Sequence, residues 1–381
     1  MEIPFGSKHS DNAAPCTAWG ANQKKIAVNA AGDVFTGYMD NDEVLGFTVV
    51  SHRFDNWTKG VKLRAQRPGN VLLDCFGNLH VFVVDGRRLM HHVFRGGDVL
   101  RVSSTTEVFD RCNIRFSVDI RGPRVFVAFG HDSRVHFLDG YLMRNGTVAR
   151  WRHRSSVKLP CNFAYPFALI RRSGKLVALA EEDEDGHKKY TMSCLFEEDD
   201  LDMPHVLEHY TNGNSVHNND LYEDSGGLLH VIVRVHPDER HFIHAREIVP
   251  GTMRFARTRL NFPDLTHLRL TEDVADGVQY VGTSWDRLWK CATGCPKDDI
   301  TPAEMKDAGD KCAGLVPFVV DDDVLLLPAA ASAYPDARTF MAHAGVNVPE
   351  PRYEGRARCS EWAWSILETV RHYYGRLRRR L

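Results

Sequence analysis

One local signature recurs seven times along this chain, and that recurrence limits the fold more than anything else in the sequence. A Gly- or Asp-centred turn runs into a β-prone segment at Ala31-Gly32-Asp33-Val34-Phe35, Phe76-Gly77-Asn78-Leu79-His80-Val81 and Arg121-Gly122-Pro123-Arg124-Val125-Phe126. It returns at Ser173-Gly174-Lys175-Leu176-Val177, Gly226-Gly227-Leu228-Leu229-His230-Val231, Asp276-Gly277-Val278-Gln279-Tyr280 and Asp321-Asp322-Asp323-Val324-Leu325. Counted from positions 32, 77, 122, 174, 226, 277 and 322, the offsets are 45, 45, 52, 52, 51 and 45 residues. Gly, Asn and Asp supply the backbone dihedrals of tight hairpins, and the β-branched and aromatic residues that come next suit a pleated, half-buried surface. Each unit is therefore a hairpin at least.

Most hairpins lead into a third alternating run, as at Gly46 to His52, Arg88 to Phe94, Arg134 to Leu138, Lys189 to Phe196, Arg240 to Ile248 and Asp286 to Cys291. A fourth run comes after it at Val99 to Thr105 and Met253 to Leu260. Four antiparallel strands at a blade-sized period predict an all-β fold, a seven-bladed β-propeller. A strand-rich sandwich is the competing fold, and it leaves the regular offset unexplained.

The last unit is irregular. A strand is expected over Leu325 to Ala331, but Pro328, Pro335, Pro349 and Pro351 break the regularity of 328–351, so ring closure is expected to borrow a strand from the N-terminal region. From Ser360 the pattern turns helical, with Trp364, Leu367, Tyr374 and Leu377 on one stripe and Arg376, Arg378, Arg379 and Arg380 at the end. The organisation expected is a propeller over 1–355 and a C-terminal basic helix over 356–381, either packed on the propeller or lying on a membrane surface.

Charge and cysteine content narrow the partners. Forty-eight Lys and Arg against 50 Asp and Glu leave a formal charge of −2, without the broad basic footprint of a nucleic-acid binder. Met1 to Cys16 has no apolar core of signal-peptide length, and no run approaches a membrane span. The chain as written is expected to be cytoplasmic, or secreted or periplasmic if a leader had been removed. The sequons Asn56-Trp57-Thr58 and Asn145-Gly146-Thr147 do not decide between these. The nine cysteines are odd in number, so at least one has no intrachain partner. Cys291, Cys295 and Cys312 cluster and suit either a local disulfide in an oxidising compartment or, with His267 nearby in sequence, zinc; their spacing fits no standard zinc pattern, so neither a metal nor another cofactor is expected.

Ser51-His52-Arg53-Phe54-Asp55-Asn56-Trp57-Thr58 resembles the Asp-box turn of sialidase-like BNR propellers. Ala164-Tyr165-Pro166-Phe167 running into Arg172-Ser173-Gly174-Lys175-Leu176-Val177, and Asn218 followed by Leu228-Leu229-His230-Val231 and Arg240-His241, resemble consecutive blades of the BNR-4 type. That seven-bladed group includes ulvan and related polysaccharide lyases and rhamnosidase-like enzymes. The likeness covers roughly residues 22 to 300 by layout, with individual motifs matching in blades four and five. It implies proton transfer by Tyr165. It also implies an Arg that neutralises a uronate carboxylate where this chain has Glu181, and second-blade histidines that have no counterpart along Gln66 to Asn70 or at Gly86.

Abstracting the proton beside a carboxylate requires a nearby base and positive charge on the carboxylate. With Glu181 in the cation's place, that charge must come from elsewhere, and Arg115, Arg171 and Arg234 are the candidates. Propeller sites sit where inner strands and their loops converge, which singles out Asn162 and Tyr165 before the fourth blade. Val216-His217-Asn218-Asn219-Asp220 puts four polar groups together at the fifth, an arrangement expected in a water- or ligand-facing cluster, with His217 as proton-transfer partner. His131, beside Asp132 at a hairpin exit, is a third catalytic candidate, and Arg234 and His241 are further binding candidates. Turn chemistry and solvated surface are the plain alternatives for each. The paired carboxylates of Glu181 to Asp185 suit a solvated loop or glycoside hydrolysis. The sequence lacks a phosphate loop, a dinucleotide fingerprint and a serine nucleophile elbow. The expectation is therefore a carbohydrate-active enzyme, a lyase or glycoside hydrolase acting on an acidic or deoxy-sugar polysaccharide or oligosaccharide. The alternative is a non-catalytic propeller that binds a glycan or a protein.

Overall fold

The computed structural model describes residues 24, 26–29, 33–39, 46–53, 56–57, 59–95, 100–112, 115–132, 134–158, 166–183, 191–210, 215–236, 241–260, 267–273, 277–283, 288–292, 301–302, 315–320 and 323–328. Their strands form antiparallel meanders in chain order. Sheet 1 joins β1 (Ile26–Val28), β2 (Val34–Met39), β3 (Gly46–Arg53) and β4 (Asn56–Trp57), with β5 (Val61–Arg64) also paired to β3. Sheet 2 is β6 (Asn70–Leu73), β7 (Leu79–Asp85), β8 (Arg88–Arg95) and β9 (Arg101–Phe109). Sheet 3 is β10 (Phe116–Arg121), β11 (Arg124–His131), β12 (Arg134–Leu142) and β13 (Val148–Lys158). Sheet 4 is β14 (Phe167–Ile170), β15 (Leu176–Asp183), β16 (Thr191–Glu197) and β17 (His205–Tyr210). Sheet 5 is β18 (Ser215–Glu223), β19 (Leu229–His236), β20 (His241–Glu247) and β21 (Phe255–Leu260). Sheet 6 is β22 (His267–Asp273), β23 (Gly277–Thr283), β24 (Leu288–Ala292) and β25 (Thr301–Pro302), and a hairpin of β26 (Leu315–Val320) and β27 (Asp323–Pro328) comes after it. The fold is all-β, and its five four-stranded sheets are consistent with propeller blades. The seventh signature falls at the β26–β27 hairpin; 356–381 lies outside the described residues.

The recurring glycines sit in the turns that need them. Gly77, Gly122 and Gly174 have φ of 82°, 57° and 85°, the left-handed region that a side chain disfavours. In the fifth repeat it is Gly227, at 79°, rather than Gly226 that takes this role. The turns of sheets 2, 4 and 5 share one hydrogen-bond pattern: Asp74, Arg171 and Asp224 each donate an amide to residue i+4 and accept from the glycine at i+3.

Strand alternation assigns successive residues to different interfaces. On β11, Val125, Val127 and Phe129 pack with Phe82 and Leu89 of sheet 2, whereas Phe126 and Ala128 pack with Ala178 and Phe196 of sheet 4. On β15, Leu176, Ala178 and Ala180 face sheet 3, while Val177 and Leu179 face sheet 5. The core is thus a series of slabs between neighbouring sheets, which is why inner strands read as continuous apolar runs.

The first strands of successive sheets touch one another, from β1 through β6, β10, β14, β18 and β22 to β26. The amides on such an inner edge have no ladder partner. Side chains of the adjacent sheet supply acceptors: Ser117 Oγ takes the Ala168 amide at 3.1 Å and Asp119 Oδ2 the Ile170 amide at 2.7 Å. Asn219 Oδ1 takes the Leu268 amide at 3.3 Å and Asp220 Oδ2 the Leu270 amide at 2.8 Å. Partner spacing stays near fifty residues, so inner strands run in the same direction. The assembly therefore has a proximal mouth, where inner strands begin, and a distal mouth, where they end.

Candidate functional site

Four of the sequence-derived candidates, all among the described residues, fall at the proximal mouth. His217 and Arg234 are direct register partners on β18 and β19, so their side chains share one face, and both are partly exposed. Arg115 precedes β10, and its carbonyl accepts the Gly130 amide at 3.4 Å, which sets it beside His131 at the end of β11. The His131 Nε2 atom lies 2.9 Å from the exposed Asp132 carboxylate, and Asp132 adopts φ of 46° to make this short connection. Asn162 and Tyr165 lie outside the described residues.

Three other candidates have internal positions. Asn218 is buried, and its Oδ1 accepts the Ser193 hydroxyl of sheet 4 at 2.7 Å. His241 is buried at the start of β20. The polar run 217–220 lies within β18. A register shift between Asn218 and Asp220 turns consecutive polar groups towards different neighbours, and the caps on Leu268 and Leu270 occupy Asn219 and Asp220. Asp220 Oδ1 also holds the Arg269 guanidinium at 3.2 Å; burial pulls that guanidinium down from its usual range despite the carboxylate.

Arg171 lies at the distal end, and its guanidinium serves the protein rather than a ligand. NH2 donates to Glu247 Oε2 at 2.7 Å and to the Gly227 carbonyl at 2.7 Å, and Nε donates to Glu223 Oε1 at 3.3 Å. Burial pushes the Glu247 carboxyl up, but Arg171 and the Met253 and Leu229 amides outweigh it and hold it below the ordinary range. Arg124 makes the same staple one sheet earlier, to the Gly174 carbonyl and to Glu198. In each case the arginine reaches the first turn of the next sheet and the carboxylate that closes its third strand. These pairs are 76 and 74 residues apart in sequence, so no local motif signals them.

A second repeated element also escaped the sequence reading. His230 Nε2 lies 3.1 Å from Asp224 Oδ2, His230 Nδ1 2.9 Å from His244 Nε2, and His244 Nδ1 2.7 Å from the Tyr280 hydroxyl. In sheet 2, His80 Nε2 lies 3.1 Å from Asp74 Oδ2 and His80 Nδ1 2.9 Å from His91 Nε2. With Asp224 ionised, the sheet 5 chain is satisfied by neutral imidazoles: the tyrosine donates to His244, His244 to His230, and His230 to Asp224. Burial and the neighbouring His230 push His244 down to about 3, and burial with His80 carries His91 well below its usual value. These histidines are sealed from solvent, so they pin the sheets rather than meet a substrate. The signal was the shared pattern Asp-x-x-Gly-x-Leu-His-Val at 74–81 and 224–231.

Among the described residues no group of three or more His, Cys, Asp or Glu side chains is arranged to hold a metal ion. The side chains of Cys291, Cys295 and Cys312 lie outside what is described. No helix among those residues is long and apolar enough to cross a membrane.

Comparison with solved structures bears on the fold. The chain is similar to the crystal structure of polysaccharide lyase Uly1, with a TM-score of 0.57 and 10% identity over 84% of this chain and 94% of that one. It is also similar to virginiamycin B lyase from Staphylococcus aureus, with a TM-score of 0.47 and 11% identity over 82% of this chain and 91% of that one. SapL1 lectin in complex with α-methyl fucoside gives 0.45 and 8% identity, over 77% and 98%. At 10% identity the likeness to Uly1 is one of fold, and the fold is β-propeller-like. No protein-family profile and no curated protein matches the chain.

Proposed function

We propose that this chain is a seven-bladed propeller that cleaves an acidic glycan by elimination at its proximal mouth. The observation that carries this reading is the opposed pair His217 and Arg234, a base and a fixed cation on one face of sheet 5 at that mouth. Elimination at a uronate needs this combination: the carboxylate is neutralised, the adjacent carbon loses its proton to a base, and the carbon–oxygen bond to the leaving sugar breaks as that oxygen takes a proton. Arg234 holds the carboxylate, His217 and Tyr165 share the proton transfers, and Arg115 and His131 of sheet 3 meet the neighbouring sugar. Blade count rests on the seven repeat signatures and the order of the sheets. The same reading takes 1–355 as one propeller and 356–381 as a basic helix upon it.

The test is ultraviolet absorbance of unsaturated uronate during incubation with a panel of uronate-containing polysaccharides. Absorbance is expected to rise with the wild type, to be lost in His217→Ala and Tyr165→Phe, and to need much more substrate in Arg234→Ser. No rise on any substrate overturns elimination. A second reading, glycan binding without cleavage, is favoured by Glu181, which stands where the resemblance implies a cation. Saturable calorimetric binding of the same polysaccharides without any new product establishes that reading instead.

A further inference from the structure

The distal face, opposite the candidate site, carries a surface chemistry that neither the repeat nor a glycan site requires. All eight large apolar side chains exposed among the described residues lie at the distal end of their sheets. Six sit at or beside turns: Phe76 between β6 and β7, Tyr141 and Met143 at the β12–β13 turn, Met203 between β16 and β17, and Ile248 and Val249 between β20 and β21. Met203 is 69% exposed and Ile248 61%, values that leave almost nothing of these side chains in the core. The other two, Val102 and Val206, lie near the distal starts of the outer strands β9 and β17.

The same end is basic. Arg95, Arg101, Arg144, Arg172, Arg246 and Arg254 are exposed there, and among the described residues none of the six forms an ion pair with a carboxylate. Among the described residues the exposed acids on this face are confined to one turn, at Asp199, Asp200 and Asp202; Asp199 is tied to Lys175 at 2.9 Å, and Asp202 accepts from Ser155.

Apolar tips set among unpaired arginines on one face of a globular fold mark an interaction surface. The charge selects the occupant. A second copy docked face to face would set arginine against arginine, and the Arg-rich stretch 376–380 of this chain carries the same sign. A soluble polyanion would pair the arginines but leave Met143, Met203, Ile248 and Val249 in water. A bilayer with anionic headgroups accommodates both, taking apolar side chains at the boundary of headgroups and acyl chains while phosphates meet the guanidinium groups. We propose that the distal face docks on an anionic phospholipid surface, with the turn tips of sheets 2 to 5 seated in the interface and the proximal mouth directed away from it.

The experiment is cosedimentation of the full chain with phosphatidylcholine vesicles with and without phosphatidylserine, at low and at physiological salt. The wild type is expected to bind the phosphatidylserine vesicles, less strongly as salt rises. The pair Met203→Asp with Ile248→Asp is expected to bind at least tenfold more weakly at an unchanged melting temperature, and Arg172→Ser with Arg254→Ser to lose roughly fivefold per arginine. The arginine pair leaves every apolar contact in place, so it tests the face even if the aspartate pair misfolds. Failure of the wild type to bind, or equal binding by both variants, overturns the proposal. So does binding that only neutralisation of Arg376, Arg378, Arg379 and Arg380 removes, or a dimer without vesicle binding that Ile248→Asp dissociates.

Discussion

Replacing Glu247 by alanine puts the staple between sheets 4 and 5 to a quantitative test. Its two oxygens accept four hydrogen bonds, from Arg171 at 2.7 and 3.3 Å, from the Met253 amide at 3.0 Å and from the Leu229 amide at 3.1 Å. Removing one partner of a buried ion pair costs about 3–5 kcal/mol. Glu223 and the Gly227 carbonyl stay with Arg171, so the lower end, about 3 kcal/mol, applies to the ion. The buried Leu229 amide left without its side-chain acceptor adds about 1 kcal/mol, whereas the Met253 amide sits nearer solvent and rehydrates. The total of about 4 kcal/mol corresponds to a drop of roughly 5 °C for a cooperative unit of this size. Scanning calorimetry at neutral pH reads that shift. Because the Glu247 carboxyl is held below its ordinary value, its contribution is complete at neutral pH and disappears as pH falls from about 4.3 toward the lower native value. Wild type and variant should therefore converge only in that acidic window. A melting temperature within about 1 °C of wild type at pH 7, on the same scale, would refute the staple as a stabilising element.

Gly146 and Gly227 separate backbone strain from steric clash. Both have positive φ, but a Cβ at Gly227 meets nothing closer than 3.9 Å, while at Gly146 it would stand 2.5 Å from Val93 of sheet 2. Urea melts should show Gly227→Ala losing about 1–2 kcal/mol and Gly146→Ala clearly more; equal losses would remove the steric argument. His244 and His91 should stay neutral well below pH 6, which nitrogen-detected NMR of the imidazoles reads directly. Since the unfolded chain takes up those protons first, unfolding free energy should fall as pH drops below about 6.5, and a protonated His244 at pH 5 would contradict the neutral chain.

The range of each interaction decides whether the sequence discloses it. Hairpins were legible because turn chemistry is local: Gly77, Gly122 and Gly174 announce their own dihedrals, and the third runs beginning at Gly46, Arg88 and Arg134 match β3, β8 and β12. The phase of 217–220 was not legible, because a register shift within β18 is set by the neighbouring strand rather than by the residues themselves. Arg171 was read as an anion holder and does hold anions. They are Glu223 and Glu247, 52 and 76 residues away, and only the stacking of sheets brings them close. His80 and His230 were read merely as strand residues after a turn, since the partners that give them a role sit on other strands.

The alternation along β7, β11, β15 and β19 also bears on how such a chain can change over generations. Adjacent residues there belong to different slabs of core: Phe126 is answerable to sheet 4 and Val127 to sheet 2. Compensating substitutions should therefore link positions about one repeat apart, with sequence neighbours drifting independently. Gain or loss of a single residue inside one of these strands would exchange two slabs at once, so changes in length should collect in the connections, where the repeat already varies between 45 and 52 residues. The heritable unit of this architecture is the seam between two sheets rather than the sheet.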